Sequence, residues 1–178
     1  MKLYAVRHGQ AQHNRQFKLN DDPASSSDLT AKGRAQAEAV AEQLKDLPIE
    51  QIYTSQLPRA VQTADIINAH RRVKQVTDAR LNEIKSGFHG RAVGVWVVKR
   101  LLSRENLQRR HHAGESLAEA KARIESFLQE LKSSGQQAVL IVAHQHTLQA
   151  LDALINGTDY KKALRRPIGH MQVLEFEL

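Results

Sequence analysis

Ala138-Val139-Leu140-Ile141-Val142-Ala143, closed by His144, is the stretch that decides the fold. A continuous apolar run of this kind suits a strand at the centre of a sheet covered on both faces. It stops at a histidine. Near the start of the chain Lys2-Leu3-Tyr4-Ala5-Val6 does the same, running into Arg7-His8-Gly9-Gln10. In a parallel sheet, residues that end two strands and lead into loop and helix meet at one edge, the usual place for chemistry in α/β proteins.

Between and after these runs, strand-like and helix-like segments alternate. Gln10 to Asp28 reads as a polar loop, long enough to be functional or mobile. Thr30 reads as the N-cap of an amphipathic helix over Ala31 to Leu44. Ile49 to Thr54 predicts a second strand, and Pro58 near the first helical position starts a helix that runs to about His70. Val73 to Thr77 predicts a short third strand, Leu81 to Gly94 a loop, and Val95 to Leu102 a helix. Glu115 to Leu131 and Thr147 to Ile155 carry helical apolar spacing, and Met171 to Leu178 alternates as a final strand. Strands interleaved with helices indicate a layered α/β fold with a largely parallel sheet, here within one domain over residues 1–178.

A chain of 178 residues with 41% hydrophobic content can bury a sizeable core. No stretch approaches the roughly 18 apolar residues of a membrane span, and the start lacks the basic and long apolar regions of a secretory signal. The expectation is a soluble, cytoplasmic protein with no membrane partner. The absence of Cys excludes disulfides, thiol nucleophiles and Cys-ligated zinc. A net charge of +7 and a pI near 9.9 point to an anionic partner. With 4% aromatics and no recognition module, no nucleic acid is expected, and a small phosphorylated substrate fits.

Arg59, in the first turn of the helix that follows the second strand, falls at the same sheet edge as Arg7, His8 and His144. Two guanidiniums, two imidazoles and helix N-termini make a pocket for a tetrahedral dianion, because the guanidinium fork matches phosphate oxygens. Phosphate or sulfate is the expected occupant. The His144-Gln145-His146 run also invites a metal reading, but no carboxylate or Cys completes a ligand set.

Six motifs in order then carry a resemblance: Arg7-His8-Gly9-Gln10 with Asn14, Leu29-Thr30-x-x-Gly33-x-x-Gln36-Ala37, Ser55-x-Leu57-x-Arg59-Ala60-x-Gln62-Thr63-Ala64, Leu81-x-Glu83, Gly114-Glu115-Ser116, and Val142-Ala143-His144. Over nearly its whole length the chain resembles the histidine phosphatase superfamily, the phosphoglycerate mutase-like proteins. The resemblance implies a three-layer α/β/α sandwich around a mostly parallel sheet. It further implies that His8 is a nucleophile forming a phosphohistidine, and that Arg7, Arg59 and His144 hold the phosphoryl oxygens. Asn14 and Gln145 would touch the substrate. Glu83 would protonate the leaving alcohol and later take a proton from water. No metal and no cofactor are implied, since arginines offset the charge.

Two departures stand out. Gln145 follows the second histidine where many members have Gly, and Ala11 replaces a common hydroxyl residue, so a close backbone approach to phosphate and one donor are in question. Glu83 must be protonated part of the time; a bound dianion raises its pKa and the arginines lower it. The expected activity is metal-independent hydrolysis of small phosphomonoesters. The alternatives are a phosphoglycerate mutase, a protein phosphohistidine phosphatase, a non-catalytic phospholigand-binding member, or a nucleic-acid-binding protein using its charge. The basic residues Lys99, Arg100, Arg104, Arg109 and Arg110 read as a solvated helix face, or in a sharper reading as a cluster that partly overhangs the site and attracts anionic substrate, and His111-His112 as a surface feature where a helix starts.

Overall fold

In a computed structural model, residues 1–95, 97 and 106–178 are described. The elements run β1 (Lys2–Arg7), α1 (Gln12–Arg15), α2 (Ala31–Leu44), β2 (Gln51–Thr54), α3 (Pro58–Asn68), β3 (Lys74–Thr77), a 3-10 turn (Ala79–Leu81), α4 (Leu117–Lys132), β4 (Ala138–Ala143), α5 (Gln145–Asn156), α6 (Tyr160–Ala163) and β5 (Val173–Glu177). They build one five-stranded sheet in the order β3-β2-β4-β1-β5. All pairings are parallel except β1 with β5, so the sheet is mostly parallel as expected.

Alternation along the strands sorts two cores. Leu3 and Ala5 of β1 and Val139, Ile141 and Ala143 of β4 face a cluster with Ile124, Phe127, Leu128, Leu148 and Leu151 from α4 and α5. Tyr4, Val6, Leu140 and Val142 face the other side, against Ala37, Val40 and Leu44 of α2 and Ala60, Ala64 and Ile67 of α3. Every residue of β4 is buried, which explains its unbroken apolar run.

Register brings the ends of the strands together. Arg7 pairs with Ala143, so His8 and His144 follow at the same level, and the His8 N–H donates to the Ala143 carbonyl at 3.0 Å. Thr54 pairs with Val142, and the Ser55 N–H donates to the Val142 carbonyl at 3.2 Å. Three loops therefore leave side by side at the C-terminal edge.

Several boundaries differ from the sequence-based expectation. The 10–28 segment is less irregular: it carries α1, and Ala11 and Lys18 bridge to Leu29 and Ala92. Helix α3 stops at Asn68, whose side chain exchanges hydrogen bonds with Val73 and turns the chain toward β3. Helix α4 begins at Leu117 because Ser116 and Glu119 cap it reciprocally. Helix α5 begins at Gln145, directly after an extended His144, and α6 lies in the stretch between α5 and β5. The helix expected over Val95 to Leu102 falls largely outside the described residues, as do Lys99, Arg100 and Arg104. Arg109 and Arg110 are exposed, and Arg110 pairs with Glu119. His111 and His112 do not start a helix; their rings lie 5.7 and 4.8 Å from that of Phe88. Among the described residues, no helix is long and apolar enough to cross a membrane.

Candidate active site

Two glycines let the loop after β1 lie directly on α2. A Cβ on Gly9 would come within 2.5 Å of the Gly33 carbonyl, and one on Gly33 closer still to the carbonyl of Gln10. Polar residues pin that contact. The Gln10 N–H donates to Gln36, the Gly9 N–H to Thr63 Oγ1, and the Leu29 N–H to Gln62. These motif residues build the frame of the pocket.

His8 sits at its base, buried. Its Nδ1 lies 2.7 Å from the Gly9 carbonyl, which assigns the ring proton to Nδ1 and leaves Nε2 with a free lone pair. Arg59 Nε donates to that Nε2 at 3.1 Å, as only an unprotonated nitrogen allows. Burial, then the positive charges of Arg59, His144 and Arg7, hold the His8 pKa well below its ordinary value of 6.5. The imidazole is neutral, and its Nε2 lone pair accepts from Arg59, which lines the cavity with it.

Arg59 is 1% exposed, an unusual burial for a guanidinium. Its Nη1 and Nη2 donate to the Asn20 side chain and carbonyl at 2.8 and 2.9 Å, and Nη2 also lies 3.3 Å from His144 Nδ1. Burial lowers its pKa to about 10, still charged at neutrality. The His144 ring is fixed from its other side, with Nε2 2.7 Å from Ser55 Oγ. Burial and then Arg59 hold it well below the ordinary imidazole value as well. The His8 and His144 rings are 5.0 Å apart.

Arg7 Nη1 donates to Gln145 Oε1 at 2.9 Å and to the Ile168 carbonyl at 2.6 Å. Its Nε is buried with no acceptor among the described residues. An orphaned charged donor beside a neutral nucleophile calls for an anionic oxygen. Gln145, the departure from glycine, thus braces a guanidinium with its side chain.

Glu83 is placed by its neighbour Asn82, whose carbonyl accepts from Thr147 of α5 and whose Oδ1 accepts from the Gln56 N–H. Further along the loop, Glu115 accepts from the Lys85 N–H and is held by Arg123. Glu83 Oε1 accepts from the Ile84 N–H at 2.9 Å and stands 3.3 Å from His146 Nδ1. Burial pushes its pKa up, but His146, His144 and the Ile84 N–H outweigh burial, and the carboxyl is drawn below the usual range. At neutral pH Glu83 is a carboxylate.

Arg7, His8, Arg59, Glu83, Gln145 and His146, with Asn14, Asn20, Lys18, Leu19, Val93 and others, line a cavity of about 150 Å³, and His144 lies behind them in contact with Arg59. That is about the liquid volume of five waters, a size for a phosphoryl group and a small substituent. Asn14 lines it too, though its Oδ1 accepts from the Ala11 N–H and its Nδ2 lies 3.0 Å from His13 Nε2, leaving one N–H. A larger groove of about 750 Å³ between α2 and α3 is lined by Glu38, Glu42, Lys45, His70, Arg71 and apolar residues, and none of the candidate site residues lies in it.

Sequence reasoning gave no role to Asn20, Ser55, His13 or His170. The His13 ring, 6.1 Å from that of His8, is held by burial and Arg59 at a pKa of about 3. The His170 ring lies 5.3 Å from that of His8, and its Nδ1 donates to the His8 carbonyl at 2.9 Å. Ser55 stood inside a quoted motif; the others gave no local signal. His146 pairs with Glu83 rather than with other metal-binding groups.

The profile of the histidine phosphatase superfamily, branch 1, matches residues 3–178. A protein of Hydrogenobacter thermophilus named as a phosphoserine phosphatase is 34% identical over 167 residues, which span 88% of this chain and 79% of that one. An Escherichia coli protein named as a phosphoglycerate mutase is 32% identical over 166 residues, 88% of this chain and 75% of its own. The structure of a mycobacterial glucosyl-3-phosphoglycerate phosphatase with VO3 superposes with a TM-score of 0.86 at 26% identity, covering 98% of this chain and 91% of that one.

Proposed function

This chain belongs to the histidine phosphatase superfamily as a phosphomonoesterase of that type, and we propose that it hydrolyses small phosphomonoesters through a phosphohistidine on His8. The observation that carries the mechanism is the state of His8: a neutral ring, its deprotonated Nε2 held by Arg59, lining a small cavity whose cationic donors are preorganised. The mycobacterial relative with VO3 supports an oxoanion as occupant.

The entering phosphate displaces the two imidazole contacts of Arg59 and takes those N–H groups onto its oxygens, while the orphaned Arg7 Nε supplies another. His8 Nε2 attacks phosphorus, an N–P bond forms, and the ester P–O bond breaks with its electron pair on the departing oxygen. Glu83, once protonated, gives that oxygen its proton. Water then attacks phosphorus, Glu83 takes the water proton, and the N–P pair returns to Nε2. Asn14 and Gln145 serve binding, the latter through Arg7. No metal or cofactor takes part in this reading.

Mutase activity is the second reading, favoured by the E. coli relative's name. One experiment tests both: phosphate release and phosphoenzyme trapping on a panel of sugar, nucleotide, glycerate and protein phosphates. Phosphate release faster than phosphoglycerate interconversion supports the hydrolase. The opposite order overturns it.

A further inference from the structure

We propose that His146 is a positioning residue that holds Glu83 as a carboxylate between turnovers, and so directs this site toward phosphoryl donors with acidic leaving groups, aryl and acyl phosphates. The proposal rests on Glu83 being the acid–base group of the reading above.

The geometry carries it. His146 lies in the first turn of α5, directly after the braced Gln145, and its Nδ1 is 3.3 Å from Glu83 Oε1. The Ile84 N–H reaches the same oxygen at 2.9 Å. Both side chains are largely buried, 16% and 18% exposed, so solvent screens the pair weakly. The remaining charged or titratable groups that face Glu83 are Arg7 from β1, His13 from α1, Arg59 from α3 and His144 at the end of β4. Lys85 on its own loop is exposed. Asp21 is turned to Ser86 and His89, and so does not compete for the proton. Glu115 and Glu119, which share a second cavity with Glu83, are each paired with an arginine, Arg123 and Arg110, and the groups nearest Glu83 favour loss of its proton.

A carboxylate cannot protonate a departing alkoxide. It need not when the leaving group is a phenolate or carboxylate: the N–P bond forms, the P–O bond breaks, and the electron pair leaves on an oxygen that is stable as an anion. The same carboxylate is correctly charged for the second half, where it takes the proton of the attacking water and passes it to the released phosphate. His146 therefore sets which half of the cycle Glu83 serves without assistance.

The test compares wild type, His146→Ala and His146→Gln on 4-nitrophenyl, phenyl and glycerol phosphates from about pH 5 to about pH 9, with folding checked by circular dichroism and phosphoenzyme trapped in each. Wild type should strongly prefer 4-nitrophenyl phosphate. In His146→Ala the limb set by Glu83, which in wild type lies below this range, should move up by about one unit, so that kcat/KM for glycerol phosphate rises by about tenfold across the range. KM should change little, and 4-nitrophenyl turnover should not rise. His146→Gln, which retains an N–H donor, should shift less. An equal loss on all three substrates with no gain on glycerol phosphate overturns the proposal, as does a wild type indifferent to the leaving group. Absence of any phosphoenzyme in wild type overturns the underlying reading, and this proposal with it.

Discussion

The base of the pocket and its rim are built differently. His8, Arg59 and His144 are buried, and each stands one or a few residues past a strand whose register is set by main-chain hydrogen bonds and two apolar cores. Glu83, Gln145 and His146 stand at the rim, placed by side-chain bonds among loops and the start of α5. A strand slip would turn every core residue to the wrong face, so the base can hardly move without unfolding. The rim can change with few substitutions. Chemistry common to all substrates is therefore expected at the base, and choice among substrates at the rim.

The largest effect should come from His8→Ala. The covalent step is assigned to His8 alone, so turnover should fall by at least about a thousandfold on every substrate and the trapped phosphoenzyme should vanish. Residual turnover of a tenth would put the nucleophile elsewhere. Arg59→Ala should come next, with kcat/KM down by about a hundredfold or more regardless of leaving group, together with weaker phosphate binding. Arg59→Lys should not restore it, because one ammonium cannot span Asn20, His144 and the substrate. A substrate-dependent loss in either variant would erase the contrast between base and rim.

Glu83→Gln draws the contrast from the other side. It should lower alkyl phosphate hydrolysis by about a hundredfold and 4-nitrophenyl phosphate hydrolysis much less, read as a steeper dependence on leaving-group acidity. Equal losses would assign the proton to another group.

What was legible in the sequence follows the same division. The apolar run 138–143 and its twin 2–6 announced buried strands, and the polar residues that end them announced a shared edge, because burial imposes a pattern that sequence preserves. The Thr30 cap and Pro58 start were local signals and proved accurate. Asn20 cradling Arg59, and His146 closing on Glu83, were invisible, since each contact joins residues far apart in sequence through folded loops. His146 suggested a metal ligand only because its partner could not be seen. Glu83 could be placed but not titrated: burial and the neighbouring histidines oppose each other, and their balance is a matter of distance.

The base also predicts an acid sensitivity. His8 and His144 have folded pKa values below their ordinary 6.5, so below that pH the unfolded chain binds more protons than the folded one. Stability should fall as pH drops through about 6.5, by up to about 1.4 kcal/mol per pH unit for each ring. Melting temperature measured from about pH 7.5 to about pH 5 should show the decline, and His8→Ala should make it shallower by the share of one ring. An unchanged slope in that variant would mean that His8 is already charged, against the hydrogen bond it accepts from Arg59.

The smallest effect separates frame from chemistry. Thr30 caps α2 through the Gly33 N–H at 3.0 Å, and its hydroxyl lies 3.2 Å from the Gln10 carbonyl, to which its N–H also donates. Thr30→Ala removes the cap and should lower stability by about 1 kcal/mol in denaturant titration. The rate should stay within about twofold, because His8 is set by its β4 partner and by the Gly9 bond to Thr63, neither of which passes through the cap. A tenfold loss of kcat at unchanged stability would show instead that the nucleophile's position is transmitted from α2, and that register alone does not make the base rigid.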